Sequence, residues 1–289
     1  MKRTIFILLI TALFTSYTHA QDIGLPAYSP NDEIISHSSY TLKYNEQYEQ
    51  AEWVAYRLTD VMISGNVNRT DNFREDPAVN TGSASLFDYK GSGYDRGHLC
   101  PAADMKFSNK AMSESFYMSN MSPQRPGFNR GIWKHLESQV RKWADDNDEI
   151  YVVTGPVLKG GNFTTIGSNE VAVPDKYYKV ILDYKEPELK AIAFVLPHQK
   201  ISGNLQGFAV TVDKAEEITG INFFPALPDN IEESLESSLD INKWSFKPYR
   251  KSKSSSSTSS STRCNGITRK DYQCKRMTKN ENGYCWQHQ

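Results

Sequence analysis

Tyr94-Asp95-Arg96-Gly97-His98-Leu99-Cys100-Pro101-Ala102-Ala103-Asp104 is the stretch from which the whole chain is best read. It sets a histidine beside an arginine in a turn flanked by Gly93 and Gly97. Imidazole exchanges a proton near neutral pH, so His98 suits the part of a general base. Gly97 lets the backbone turn tightly and leaves the ring room to face a bulky group. The planar fork of Arg96 matches phosphate oxygens and could stabilise charge in a transition state. Asp95 is placed to orient a neighbour or to hold the loop.

Further along, Asn129 opens the clearest helix of the chain, predicted over Asn129 to Trp143. Projected at about 100° per residue, Ile132, Trp133, Leu136, Val140 and Trp143 share an arc of about 100°. Asn129 projects inside that arc at the first turn, with Glu137 and Arg141 on the stripes beside it. A hard cation such as Mg²⁺ prefers oxygen ligands and keeps most of its waters, so the Asn129 carbonyl plus waters is a sparse but workable site. Glu137 could accept hydrogen bonds from metal-bound waters. A base, a metal ligand and a charge clamp are the minimal kit for hydrolysing a phosphodiester. Taken singly, each residue has a plainer reading. His98 would be a loop histidine, Asn129 a helix cap, Glu137 and Arg141 a surface pair, and Asp95 with Arg96 an ion pair.

The chain of 289 residues is long enough for one large domain and an appendage. Lys2-Arg3, an apolar run from Ile5 to Phe14 and then Thr18-His19-Ala20 read as a secretory signal over residues 1–20. The run is too short to span a bilayer comfortably, and no other stretch approaches membrane length. No cysteine opens the mature chain, which argues against a lipid anchor. The expectation is an exported, periplasmic or secreted, soluble protein. The net charge of −1 hides an asymmetry: residues 1–20 carry +2 and residues 250–289 carry +7, which leaves the body at −10. Such a body is no general polyanion binder. To act on nucleic acid it needs a local basic groove, a metal or the basic tail.

Alternation predicts strands over Tyr40–Tyr44 and Glu52–Leu58, and a β pair over Tyr177–Asp183 and Lys190–Leu196. Phe116–Ser119 and Ile150–Thr154 are short strand candidates. Residues 21–38 read as a lead-in, and residues 59–92 as a long irregular segment of the kind that carries function. Lys214–Thr219 and Asn230–Leu239 read as helices started by Asp213 and Asp229.

Residues 250–262 form a Ser-rich linker that cannot bury apolar surface. In the tail, 263–289, Cys264, Cys274, Cys285 and His288 are spaced C-x9-C-x10-C-x2-H. Three thiolates and an imidazole are a structural zinc set, although the first gap exceeds the usual two to four residues. A disulfide pair is the rival in an exported protein, and a tail without structure is the third reading. Arg269, Lys270, Lys275, Arg276 and Lys279, with Tyr272, Tyr284 and Trp286, make a basic and aromatic surface suited to nucleic acid or a cell surface, or simply to solvent.

The stretch from Tyr94 to Asp104 resembles the signature of the DNA/RNA non-specific endonucleases, the family of secreted bacterial nucleases and mitochondrial endonuclease G. The resemblance continues through Asn120-Met121-Ser122-Pro123-Gln124 and through Phe128, Asn129, Gly131, Trp133, Leu136 and Glu137. It extends to Val153-Thr154-Gly155-Pro156, Val173-Pro174, Tyr178-Lys179-Val180 and Gly220-Ile221-Asn222-Phe223-Phe224-Pro225. It therefore covers about residues 40–246, the acidic body. The resemblance implies an α+β fold of the ββα-metal (His-Me finger) type, with a central antiparallel sheet flanked by helices and an endonuclease domain over 21–249. It puts His98 on the general base, Asn129 on the sole protein ligand of Mg²⁺ (or Mn²⁺ in its place) and Glu137 on the acid that holds metal waters. Arg96 falls on a phosphate-contacting arginine, Asn120 on an active-site amide and Arg141 on a further arginine. Arg74 is the expected upstream arginine near substrate, with Arg69 the alternative. Cys100 stands where a small residue is frequent, and reads as a buried, inert thiol. The implied reaction is hydrolysis of DNA and RNA to 5′-phosphate products. A degenerate fold that only captures nucleic acid, and a phosphodiesterase of small nucleotides, are the alternatives.

Overall fold

The computed structural model describes residues 22–246, 262–268, 271–278, 282–285 and 288. The expected signal segment and most of the Ser-rich linker lie outside these, as do Arg269, Lys270, Lys279 and Trp286 of the tail. The chain divides into two compact units, Met1–Pro248 and Tyr249–Gln289, close to the expected boundary.

The first unit is built on a seven-stranded antiparallel sheet. Its strands are β1 (Glu33–Ser36), β2 (Thr41–Asn45), β3 (Gln50–Thr59), β6 (Glu149–Pro156), β9 (Lys176–Asp183), β10 (Lys190–Pro197) and β11 (Ala209–Val210), in that spatial order. Two short hairpins lie apart from it: β4 (Asp95–His98) with β5 (Met121–Gln124), and β7 (Thr165–Ile166) with β8 (Val171–Ala172). Seven α segments accompany them: α1 (Asp60–Ile63), α2 (Leu86–Tyr89), α3 (Asn109–Glu114), α4 (Pro126–Phe128), α5 (Lys134–Asn147), α6 (Val212–Thr219) and α7 (Asp229–Glu236).

Both faces of the central strands are apolar, because helices cover both. Tyr177 and Ile181 of β9 with Ile192 and Phe194 of β10 pack under Leu136, Val140 and Trp143 of α5. Tyr178, Val180, Ala191 and Ala193 point the other way, to Val212 and Ala215 of α6 and Leu235 of α7. Period-two alternation thus feeds two cores. Trp143 is fully buried, stacks on Phe194 at 5.9 Å and meets Trp244 edge-on at 4.9 Å. Burial of one such ring contributes about 1.5–3 kcal/mol.

The strands expected from alternation are present, each displaced by one residue or one to three residues longer. Three expectations need correction. Phe116–Ser119 is no strand: a 3-10 turn covers Met118–Asn120, and the strand is the next segment, β5. Four residues without alternation cannot specify a pairing, and here Ser119 turns its hydroxyl onto Asp76 instead. The segment holding His98 is not a turn but strand β4. Helices α6 and α7 start earlier than expected, α6 at Val212 with Thr211 as its cap, whose Oγ accepts the Lys214 N–H at 3.1 Å, and α7 at Asp229 after Pro228, so Asp213 and Asp229 sit in first turns and do not precede their helices. Among the described residues no helix is long and apolar enough to cross a membrane.

In the second unit, β12 (Thr262–Arg263) pairs with β13 (Met277–Thr278), and Cys264, Cys274 and Cys285 pack together beneath them.

Candidate active site

The hairpin of β4 and β5 aligns Asp95 with Gln124, Arg96 with Pro123, Gly97 with Ser122 and His98 with Met121. Alternation puts Arg96 and His98 on one face and Asp95 with Gly97 on the other. Gly97 is required by a close approach. A Cβ there would fall 2.2 Å from the side chain of Gln124. On the other face, Phe73 stands between the two functional residues. Arg96 lies 4.2 Å over its ring, and His98 meets it edge-on at 5.7 Å. Phe116 closes on the imidazole from another side at 5.0 Å.

This enclosure sets the chemistry of His98. Burial, together with the nearby charges of Arg69 and Arg96, pushes its pKa down to about 3, so the ring is neutral at neutral pH. One ring nitrogen is bound to the Arg96 backbone, while Nε2 is buried with no partner among the described residues. A neutral imidazole pinned through one nitrogen keeps a lone pair free on the other.

The helix that carries Asn129 is not a single regular helix. After α4, residues Asn129–Trp133 form a wider π turn, with Gly131 at φ −105°, ψ −112°, before α5 begins. Such a turn lifts Asn129 off the apolar stripe that ideal periodicity assigned to it. Its amide nitrogen donates to Asp95 Oδ2 at 3.0 Å, and Arg130 grips the same carboxylate through Nε at 2.9 Å and Nη2 at 2.6 Å. With its NH₂ so engaged, Asn129 has its carbonyl oxygen left for a hard cation. Asp95 therefore orients Asn129.

Asp95, Arg96, Asn129 and Arg130 line one open cleft of about 690 Å³. The irregular segment after β3 supplies the opposite wall, including Arg69, Phe73, Phe87 and Lys90. So of the two upstream arginines it is Arg69, resting over Phe116 at 4.6 Å, that reaches the cleft. Arg74 is instead tied to the Ser113 carbonyl at 2.9 Å and stacked 3.9 Å over Tyr117. Asn120, expected as an active-site amide, spends its whole side chain on the backbone. Its Oδ1 accepts the Cys100 N–H, and its Nδ2 donates to the carbonyls of Cys100 and Ser115, all at 2.9 Å. It clamps the exit of β4, which positions His98 from behind.

Glu137 and Arg141 lie deeper, off the cleft wall. Burial raises the Glu137 carboxyl to about 7 against the pull of Lys179 and Arg141, with Asp104 adding to the rise. Arg141 is bound to Asp104 Oδ1 at 2.7 Å, and the buried Asp104 also accepts the Tyr56 hydroxyl at 3.0 Å. Cys100 is fully buried and free, its thiol pushed well up by burial, in keeping with an inert role. One member of this cluster escaped the sequence reading of charge: Lys179, fully buried on β9, with Nζ lacking a hydrogen-bond partner among the described residues and 5.0 Å from the Trp133 ring. A lysine inside an apolar alternating run was the available signal, because burying an ammonium needs a reason. His198 was missed too; it braces the turn before α4, accepting the Arg125 N–H on Nε2 at 2.6 Å.

In the tail, the metal-binding atoms of Cys264, Cys274, Cys285 and His288 all lie within 4.8 Å of one another. Cys264 and Cys285 Sγ each stand 3.4 Å from His288 Nδ1, and Cys274 and Cys285 Sγ are 3.9 Å apart. Tetrahedral zinc requires about 3.8 Å between sulfurs and about 3.5 Å from sulfur to nitrogen. His288 Nε2 faces the Ile267 carbonyl at 3.1 Å, which leaves Nδ1 as the ligand nitrogen. None of the three thiols is in a disulfide, so the disulfide alternative is not what this structure contains.

Comparison with known proteins agrees with this geometry. The profile of the DNA/RNA non-specific endonucleases matches residues 22–230. A mitochondrial nuclease EXOG of Danio rerio is 38% identical over 220 residues, covering 71% of this chain and 64% of that protein. The matched region thus spans a little under two thirds of that relative. A nuclease of Nostoc is 32% identical over 224 residues, 73% of this chain and 80% of the relative. Human endonuclease G is 34% identical over 216 residues, 70% and 72% of the two chains. A crystal structure of an EndoG/EndoGI complex superposes with a TM-score of 0.64 at 34% identity, covering 68% of this chain and 87% of that one. The neighbour and the antiparallel sheet with flanking helices fit the expected α+β nuclease fold. The chain belongs to the DNA/RNA non-specific endonuclease family, a family of metal-dependent nucleases that act on nucleic acid.

Proposed function

We propose that this chain is an exported, Mg²⁺-dependent endonuclease that hydrolyses internal phosphodiester bonds of both DNA and RNA and leaves 5′-phosphate ends. The observation that carries the reading is the neutral His98 ring, with a free Nε2 next to a cleft that holds Arg96, Arg69 and Asn129. His98 takes the proton from the attacking water at Nε2, while its bond to the Arg96 backbone keeps the ring from turning. Arg96 and Arg69 bind phosphate oxygens and hold the scissile group in line. Asn129, turned by Asp95, would hold Mg²⁺ (or Mn²⁺) through its carbonyl, and Glu137 would accept hydrogen bonds from the ion's waters. When bound, the ion supplies charge neutralisation at phosphorus and eases departure of the 3′ oxygen. None of these contacts needs a 2′-hydroxyl, which is why both sugars should serve. Export rests on the basic, apolar and small-residue pattern of residues 1–20.

The test incubates the mature protein from Gln21 with circular plasmid and with single-stranded RNA, under Mg²⁺, under chelator and as His98→Ala. Metal-dependent cutting of both, lost in the variant, is the expected result. Intact circles beside cleaved small diesters would instead favour the nucleotide phosphodiesterase. Intact substrates throughout would favour the binding module.

The tail geometry supports structural zinc at Cys264, Cys274, Cys285 and His288. One zinc per chain by native mass spectrometry, lost in Cys285→Ser, is the expected outcome. A metal-free tail with an oxidised cysteine pair would sink the assignment.

A further inference from the structure

Away from the cleft, α6 and α7 cover the second face of the sheet, and acids gather between them. Asp213 and Glu216 are three residues apart on α6 and so share one side of it. Glu236 closes α7. Carboxylate oxygens of the three lie within 4.8 Å of one another. Among the described residues no lysine or arginine pairs with any of them. Lys214, the neighbouring cation on α6, is engaged with Glu217 at 2.6 Å, and Lys159 donates to the Glu217 carbonyl at 2.9 Å.

Acids on a surface are common and need no ligand. Glu236 is different: it is only 5% exposed, and its Oε1 has no hydrogen-bond partner among the described residues. It also sits at the C-terminal end of a helix, where the backbone dipole already disfavours negative charge. A buried, unpartnered carboxyl among other carboxylates stays ionised only if something positive lies between them, and otherwise holds a proton that a cation would displace. The surroundings add more negative charge, since Glu232 also faces the group from α7. Burial first, then Glu216, Glu232 and Asp213, push the Glu236 carboxyl up to about 8, the response of a group that lacks a cation. Glu216 is already aimed, because its Oε1 accepts the Phe223 N–H at 2.8 Å.

We propose that Asp213, Glu216 and Glu236 form a second divalent-cation site, separate from the catalytic cleft, which takes Ca²⁺ and clamps α6 to α7. An all-carboxylate donor set suits a hard cation better than zinc or copper, which favour nitrogen and sulfur. Ligands on opposite sides of a Ca²⁺ stand about 4.6–5.2 Å apart, so the whole trio fits within one coordination sphere. Asp213 is exposed, which gives the ion an entry and leaves room for the waters that complete six to eight ligands.

The test follows thermal unfolding of the mature, chelator-stripped protein as Ca²⁺ is added, in wild type, Glu236→Gln and Asn129→Ala. Wild type should show a saturable rise of about 5 °C or more once Ca²⁺ stands about 100-fold above its dissociation constant. Glu236→Gln should need at least tenfold more Ca²⁺, whereas Asn129→Ala should respond as wild type does. Glu236→Gln mimics the protonated acid, so without Ca²⁺ it should melt no lower than wild type. A well-folded wild type without a saturable shift overturns the site, as does a shift untouched by Glu236→Gln. A shift lost in Asn129→Ala puts the ion in the cleft and overturns it equally. None of these readouts involves cleavage, so the result is independent of the proposed nuclease activity.

Discussion

Acid should loosen the frame behind the cleft through His198. The side chain is only 6% exposed and both ring nitrogens are in use: Nδ1–H donates to the Pro174 carbonyl at 2.7 Å, and Nε2 accepts the Arg125 N–H at 2.6 Å. A proton on Nε2 would collide with that N–H and free the turn that delivers α4 and Asn129. Burial above all, with the Arg125 charge in support, holds the pKa at about 4. In the unfolded chain the same ring takes its proton near about 6.5. Between these values the unfolded state binds more protons, so stability is complete above about pH 6.5 and falls as pH drops towards 4. The gap from about 6.5 to about 4, at about 1.4 kcal/mol per pH unit, sets the full loss at roughly 3 kcal/mol, of which about 2 kcal/mol is gone at pH 5. Urea unfolding at pH 7.5 and pH 5 measures it in wild type and in His198→Gln, which keeps an acceptor for Arg125 but cannot titrate. Wild type should lose about 2 kcal/mol more than the variant, because the contribution of His98 is common to both and cancels. Equal losses would refute the reasoning. So would an NMR titration in which the folded His198 ring protonates above pH 6.

Three further outcomes follow from the site. Asp95→Asn should lower cleavage about 10–100-fold through a misdirected Asn129, while stability changes by less than about 1 kcal/mol because the Arg130 end of the pair lies in solvent; wild-type turnover in this variant would remove Asp95 from the site. Gly97→Ala drives a methyl into Gln124 and should cost about 1–3 kcal/mol or more, read from denaturant midpoints; an unchanged midpoint would mean the hairpin is not held as described. Lys179→Met strips the buried Glu137 and Asp104 of a counter-charge and should destabilise by about 3–5 kcal/mol; a variant as stable as wild type by calorimetry would show that the ammonium is not needed there.

Alternation and helical periodicity carry information where both faces of an element are packed, and there the reading was accurate. Strands β3, β6, β9 and β10 and helix α5 could be located from apolar spacing because each is pinned by core on two sides or along one stripe. Short elements were not legible. β1, β4 and β5 are four residues each, too short to show a period, and β4 and β5 find each other across more than twenty intervening residues. The site divides in the same way. His98, Arg96, Asn129 and Glu137 could be named from residue type and order. The roles of Asn120 and Arg74 could not, since each depends on which backbone or side-chain group folding brings within hydrogen-bond reach.

By itself, the sequence determined that this protein has an acidic body with a nuclease signature and a separate Cys/His tail, because residue chemistry, order and spacing are local properties. The tertiary structure alone decided the rest: that His98 is neutral with a free nitrogen, that Arg69 reaches the cleft in place of Arg74, that the tail thiols meet at zinc spacing, and that three acids converge under α7. The reason is physical: pKa, orientation and ligand geometry are set by burial and by neighbours distant in sequence, and these exist only once the chain has folded.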